Sequence, residues 1–173
     1  MSLTLTASQS GPSLYYRRNG AKVEVDRKDH VVPPKGQYKL EISGFAEPFE
    51  MAKGDAFGGG TQMMTRIEYR IIDGPGKGKQ FTQMVSYSIH PKSKMGKILS
   101  AVRGKPIAPG EDVDLLDMID LRFTAVVAHD KTAEGVLKAD AEGKPLYASV
   151  VIDTIEPLGE GAATPSTSDD GWE

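Results

Sequence analysis

Residues 61–88, TQMMTRIEYRIIDGPGKGKQFTQMVSYS, decide how the chain folds. In the first half Met63, Ile67, Tyr69 and Ile71 fall on one face, and Arg66, Glu68 and Arg70 on the other. That period of two marks a half-buried strand. DGPGKGK at 73–79 is a dense turn signal, and QFTQMVSYS at 80–88 reads as a second strand returning in hairpin fashion.

Upstream, GQYKLEISGF at 36–45 alternates as well, with Tyr38, Leu40 and Ile42 on one face and Lys39, Glu41 and Ser43 on the other. Between these strands AEPFEMAKGDAFGGG, 46–60, reads as a long glycine-rich loop. Downstream the period changes. Met95, Ile98, Leu99 and Val102 stand at i, i+3, i+4, i+7, one stripe of a helix. Pro91 suits its first position and Gly104 its end. APGEDVDLLDMID, 108–120, is an acidic connection with room for a short helical turn. LRFTAVVAH and PLYASVVIDTI have the β-branched character of strands, and 130–144 separate them as a loop or ragged hairpin.

The chain divides into three stretches. Residues 1–32 are a flexible leader with one possible edge strand, closed by Pro33-Pro34. Residues 33–157 are one barrel domain, and 158–173 are a disordered acidic tail too poor in apolar residues to join a core. The order strand, strand, strand, helix, strand, strand is that of an OB-fold, a partly open Greek-key barrel of five strands. The expected fold is therefore mainly β. Its ligand surface would be the face of the second and third of those strands with the neighbouring loops.

Composition narrows the chemistry. The chain has no cysteine, which removes disulfides, thiol catalysis and thiolate zinc sites and fits a reducing cytoplasm. No apolar run approaches the ~18 residues of a membrane span, and the first residues, MSLTLTASQSGPS, do not read as a signal peptide. His30, His90 and His129 are scattered, without the convergence a zinc site needs. The carboxylates Glu111, Asp112, Asp114, Asp117 and Asp120 lack the EF-hand pattern and read as a solvated connection. The stretch GPGKGK fails as a phosphate loop, since no G-x-x-x-x-G-K-[ST] is present and a strand follows. The expectation is a protein that is not an enzyme and uses neither metal nor cofactor.

The net charge is −3, but it is unevenly spread. Residues 15–105 hold 17 Lys and Arg against 9 Asp and Glu, whereas residues 106–157 hold 4 against 11. Such asymmetry points to a polyanionic partner. Single-strand binding needs cations along a groove and flat rings on which bases stack. The candidate cations are Arg66 and Arg70 on the strand, Lys77 and Lys79 at the turn, and Lys53 in the glycine-rich loop. The candidate rings are Phe49 and Phe57, flanking Lys53, with Tyr87 and Tyr147 as weaker candidates. The tail ends in Asp169-Asp170-Gly171-Trp172-Glu173, an acidic tip with one ring on a flexible tether. Asp169, Asp170 and Trp172 suit docking into a basic pocket of a replication or repair protein, or covering the chain's own cationic groove.

Together, GQYKLEISGF, TRIEYRIIDGPGKGKQF, the helix KMGKILSAV and DVDLLDMIDLRFTAVV resemble phage-encoded single-stranded DNA-binding proteins with an OB-fold. The likeness covers about residues 33–157. It implies a G-x-Y strand opening the barrel, a DG-x-x-G-K/R turn between the next two strands, and a role in replication or recombination in the host cytoplasm. The tail is similar to the acidic tips of bacterial and phage single-strand binders. It departs from the bacterial ending in proline and phenylalanine, because Glu173 follows Trp172. A β-rich structural or protein-interaction module without nucleic-acid binding is the alternative.

Overall fold

The computed structural model describes residues 13–26, 29–53, 58–131 and 134–160. The architecture is mainly β, a single antiparallel sheet with one α-helix against it. Strands β3 (Gly36–Ala46) and β5 (Thr61–Ile71) pair at its centre, with Leu40 opposite Ile71 and Phe45 opposite Ile67. Strand β6 (Gln80–Ser86) returns along β5 as the sequence pattern predicts, with Met64 opposite Ser86 and Arg70 opposite Gln80.

Strand β4 (Phe49–Ala52) occupies part of what reads as loop. It continues the line of β3 along the same edge of β5, with Phe49 opposite Met64 and Ala52 opposite Thr61. The two strands are separated at Glu47 and Pro48, where proline has no amide to donate. The Thr65 hydroxyl donates to the Ala46 carbonyl at 2.7 Å beside this break. The composition of 46–60 hid this strand, because its glycines and acidic residues outweigh four residues of modest β character.

Helix α1 (Lys94–Arg103) buries the expected stripe, Met95, Ile98, Leu99 and Val102. It starts later than Pro91 suggests. Ser93 is the cap, and its hydroxyl oxygen accepts from the Gly96 amide at 3.0 Å. Gly96 is required by close approach, since a Cβ there would stand 2.1 Å from the His90 carbonyl oxygen. The acidic connection is partly structural. Glu111 grips both terminal nitrogens of Arg103 at 3.0 Å, and this holds its carboxyl down at about 2. Asp114 caps the 3-10 turn Leu115–Met118 by accepting from the Leu116 amide.

Strand β7 (Leu121–His129) pairs with β3 along Gly36–Glu41. The last apolar run, read as one strand, is broken in two. Strand β8 (Ala148–Val150) and strand β9 (Glu156–Glu160) both pair with β7, with a 3-10 turn, Ile152–Thr154, between them. Strand β9 runs past Pro157, where the composition reads as tail. A ladder with β7 satisfies main-chain groups and does not require apolar side chains there.

Among the described residues the sheet has nine strands, not five, and its ladder does not close. Strands β6 and β8 lie side by side, joined by the Gln83 side chain, whose Oε1 accepts from the Val150 amide at 3.2 Å. The same oxygen accepts from the Tyr69 hydroxyl at 3.0 Å, which satisfies a wholly buried phenol. The core inside this wall comprises Leu40, Ile42, Ile67, Tyr69, Ile71, Phe81, Phe123, Val127 and the helix stripe.

Residues 13–26, read as leader with one possible edge strand, join the sheet. Strand β1 (Ser13–Tyr16) and strand β2 (Lys22–Val25) form a hairpin, and Tyr15 and Tyr16 pair with Ala46 and Phe45 of β3. Further on, the Val31 amide donates to the Gln80 carbonyl at 2.8 Å, and a His129 ring nitrogen lies 2.8 Å from the Pro33 carbonyl oxygen. No helix among the described residues is long and apolar enough to cross a membrane.

Candidate nucleic-acid interface

Directly opposed residues in an antiparallel pair share a face. The registers of β4, β5 and β6 therefore place Phe49, Met51, Gln62, Met64, Arg66, Glu68, Arg70, Gln80, Thr82 and Met84 on the outer face of one three-stranded ribbon. The inner face carries Ile67, Tyr69, Phe81 and Val85, all buried.

Near the middle of the outer face, the Arg66 guanidinium lies over the Phe49 ring, 4.6 Å from its centroid. Both residues are half-buried. Met84 stands opposite Arg66 and is exposed, as is Met51. Tyr87 follows β6 opposite Met63, 47% exposed, its amide donating to the Met63 carbonyl at 2.9 Å, and alternation assigns both to the face opposite Arg66. Phe49 and Arg66 therefore lie near the middle of the ribbon, with Tyr87 toward one end and Lys53 at the β4–β5 connection beyond it, where the Lys53 amide donates to the Gly60 carbonyl. Lys77 and Lys79 are exposed at the opposite end, in a turn held by Gly78 donating to the Ile71 carbonyl at 2.7 Å. The eleven residues of β5 span ~34 Å at ~3.4 Å per residue, so these cations stand at separate points along the ribbon and do not share a single pocket.

Arg66 and Arg70 do not form one continuous cationic face. Between them Glu68 is fully buried. Arg17 forms an ion pair with one oxygen of Glu68, and His30 Nε2 lies 2.8 Å from the other. The Ser43 hydroxyl donates to Glu68 at 2.8 Å. Burial by itself pushes this carboxyl up. Hydrogen bonding from His30, the charge of Arg17 and the Ser43 hydroxyl outweigh it and hold the group below the ordinary carboxylate range. Gly44 makes room for Arg17, because a Cβ there would fall 2.4 Å from the guanidinium and 2.7 Å from the Tyr16 carbonyl oxygen. Arg70 pairs with Glu41 at 2.6 Å, and Arg122 reaches the same carboxylate at 3.4 Å.

Alternation along β5 places Glu68 on the solvent side, and nothing in its neighbours signals the cover that comes from residues 38 and 51 positions away. The exposed methionines of the ribbon carry no sequence signal either, since methionine fits core and surface alike. Tyr147 is 48% exposed on the ragged hairpin after β7, away from the ribbon's hydrogen-bonded ladders. Phe57, Asp169, Asp170 and Trp172 lie outside the described residues.

No protein-family model matches this sequence, and neither a curated protein nor a solved structure matches it.

Proposed function

We propose that this protein binds single-stranded DNA along the outer face of the β4–β5–β6 ribbon. The observation that carries the reading is Arg66 stacked on Phe49 at 4.6 Å in an open sheet face, with exposed Met51 and Met84 on either side. A cation on a ring is the combination an unpaired base and its phosphate require, and it tolerates any sequence because every base has a π-face. Lys77 and Lys79 add cations at one end of the ribbon, and Lys53 stands at the other. A ribbon of this length suits the ~4–16 nucleotides bound per domain of this kind.

The order β3, β5, β6, α1, β7, β8 with β3 pairing both β5 and β7 supports an OB-fold-like barrel, with Gln83 bridging its seam. With the resemblance to phage single-strand binders, this favours a replication or recombination accessory acting in the host cytoplasm. In this reading the protein is not an enzyme, and Asp169, Asp170 and Trp172 recruit a replication or repair protein.

The exposed methionines favour a second reading, a protein-interaction module, because adaptable thioethers suit varied partners. One titration separates the two. Fluorescence anisotropy with labelled oligo-dT and a matched duplex at ~50 mM salt should show tighter binding to the single strand, weakening steeply as salt rises. Absence of binding to oligo-dT under those conditions rejects the first reading and leaves the second.

A further inference from the structure

A cleft of about 410 Å³ lies where the turn between β1 and β2 meets β3, β5 and the residue before β7. Three arginines from two distant segments line it, Arg17 and Arg18 from the turn and Arg70 from β5, together with Asn19, Ser43 and Asp120. We infer that this cleft is a phosphate-binding subsite.

The arginines are fixed from behind. Arg17 is held by Glu68 and by the Ser43 carbonyl at 3.2 Å, and Arg70 by Glu41 at 2.6 Å. Arg18 reaches the Ile119 carbonyl at 3.4 Å and Asp120 at 3.7 Å. A guanidinium carries five donors in a rigid fork, so a carboxylate on one side orients it without consuming it. Planar forks held in place are suited to phosphate oxygens, which accept in the same bidentate geometry. The lining carries three guanidinium charges against the single carboxylate of Asp120. Counting the supporting Glu41, Glu68 and Arg122 leaves the surroundings cationic by one charge, enough to favour an anion while keeping the empty cleft from strong self-repulsion.

The backbone at the site is also unusual. Asp120 is the one described residue other than glycine with positive φ, 79°. Its amide is committed to the Ile42 carbonyl at 2.7 Å, which keeps this conformation in place. Residues held in the left-handed region concentrate where a side chain must be aimed at a ligand. Gly44 adds a close approach that lets Arg17 cross β3 to the cleft floor.

This inference rests on the proposed function for its ligand, a phosphodiester of the bound strand. The shared chemistry also admits a free or terminal phosphate. Arg18 is the residue to change, since its side chain and that of Asp120, which it faces, are both half exposed. The first arm titrates inorganic pyrophosphate into the full chain and follows backbone amides by NMR. Shifts at Arg18, Asn19 and Asp120 are expected, and they should disappear in Arg18→Gln, whose fold is checked by its melting curve. The second arm measures oligo-dT affinity against salt for both proteins. A lost backbone contact lowers the slope of log K on log salt by ~0.7 for a single strand. Pyrophosphate shifts with a lowered slope assign the cleft to the strand's phosphodiesters, and shifts with an unchanged slope, or without oligo-dT binding at all, assign it to a free or terminal phosphate. Absence of shifts at these amides, or shifts that persist in Arg18→Gln, overturns the subsite. Because the pyrophosphate arm needs no DNA, the failure of either reading shows separately.

Discussion

Glu68 and His30, 38 residues apart in the chain, meet at 2.8 Å beneath the outer surface of the sheet. The Tyr15 ring packs edge-on against the same histidine, its centroid 5.4 Å away. One carboxylate of the central hairpin thus anchors the segment that precedes β3.

The acid limb of stability should report this anchor. The folded state holds Glu68 ionised, below the ordinary carboxylate range, so the unfolded chain takes up its proton first as pH falls. The contribution is fully present above that range and disappears as pH drops through the lower folded value. Thermal melts between neutral pH and pH ~3 should fall more steeply for the native chain than for Glu68→Gln, the latter starting lower but changing less. Parallel curves would exclude Glu68 as a source of the acid sensitivity.

Removing residues 1–32 should be costly for the fold. It takes away Arg17 and His30 together and leaves a buried carboxylate with only the Ser43 hydroxyl of its named partners. Breaking a buried pair from one side costs roughly 3–5 kcal/mol. Urea unfolding of the truncated and full chains should show a loss of that order, and an unchanged midpoint would mean that residues 13–32 are dispensable.

On the outer face, Phe49→Ala should weaken oligo-dT binding by about 1–3 kcal/mol, the value of one base stacked on a ring. Arg66→Ala should weaken it too and reduce the salt dependence. Both substitutions lie on a half-buried surface, so melting temperatures should change little. Equal affinities for both variants and the native chain would place the bases elsewhere.

Neighbouring positions on β5 should respond in different ways. Ile67 is wholly buried, and Ile67→Ala should destabilise by roughly 2–5 kcal/mol. Arg70→Ala should have an intermediate effect, because it leaves the nearly buried Glu41 with only Arg122. Ranking the three variants Ile67→Ala, Arg70→Ala and Arg66→Ala by unfolding midpoint tests the register directly. A one-residue slip would exchange the faces and invert the order.

How much of this was legible in the sequence follows the range of each interaction. The β5–β6 hairpin and the helix stripe at Met95, Ile98, Leu99 and Val102 announce themselves because their periods are local. Phe49 was legible as a candidate ring but not as part of a strand, since Pro48 and the following glycines mask the pairing with Met64. The last apolar run reads as one strand, because nothing in it marks the turn at Ile152–Thr154. The cover over Glu68 was not legible at all. It depends on Arg17 and His30 arriving from a segment whose composition resembles a leader, and only the folded sheet brings them to the same carboxylate.

Gln83 gives the wall of strands a property that a full ladder would not. A continuous ladder spreads its hold over many amides, whereas here a single side-chain oxygen serves both the Tyr69 hydroxyl and the Val150 amide. The seam between β6 and β8 therefore works as a clasp. Unfastening it frees β8 from β6 without touching the hydrogen bonds that tie β6 to β5 or β8 to β7. The ribbon bearing Arg66 and Phe49 would still be tied to the rest of the molecule through the β3–β5 ladder, the Val31–Gln80 hydrogen bond and the grip of Arg17 and His30 on Glu68, so opening the clasp loosens one seam and not the sheet.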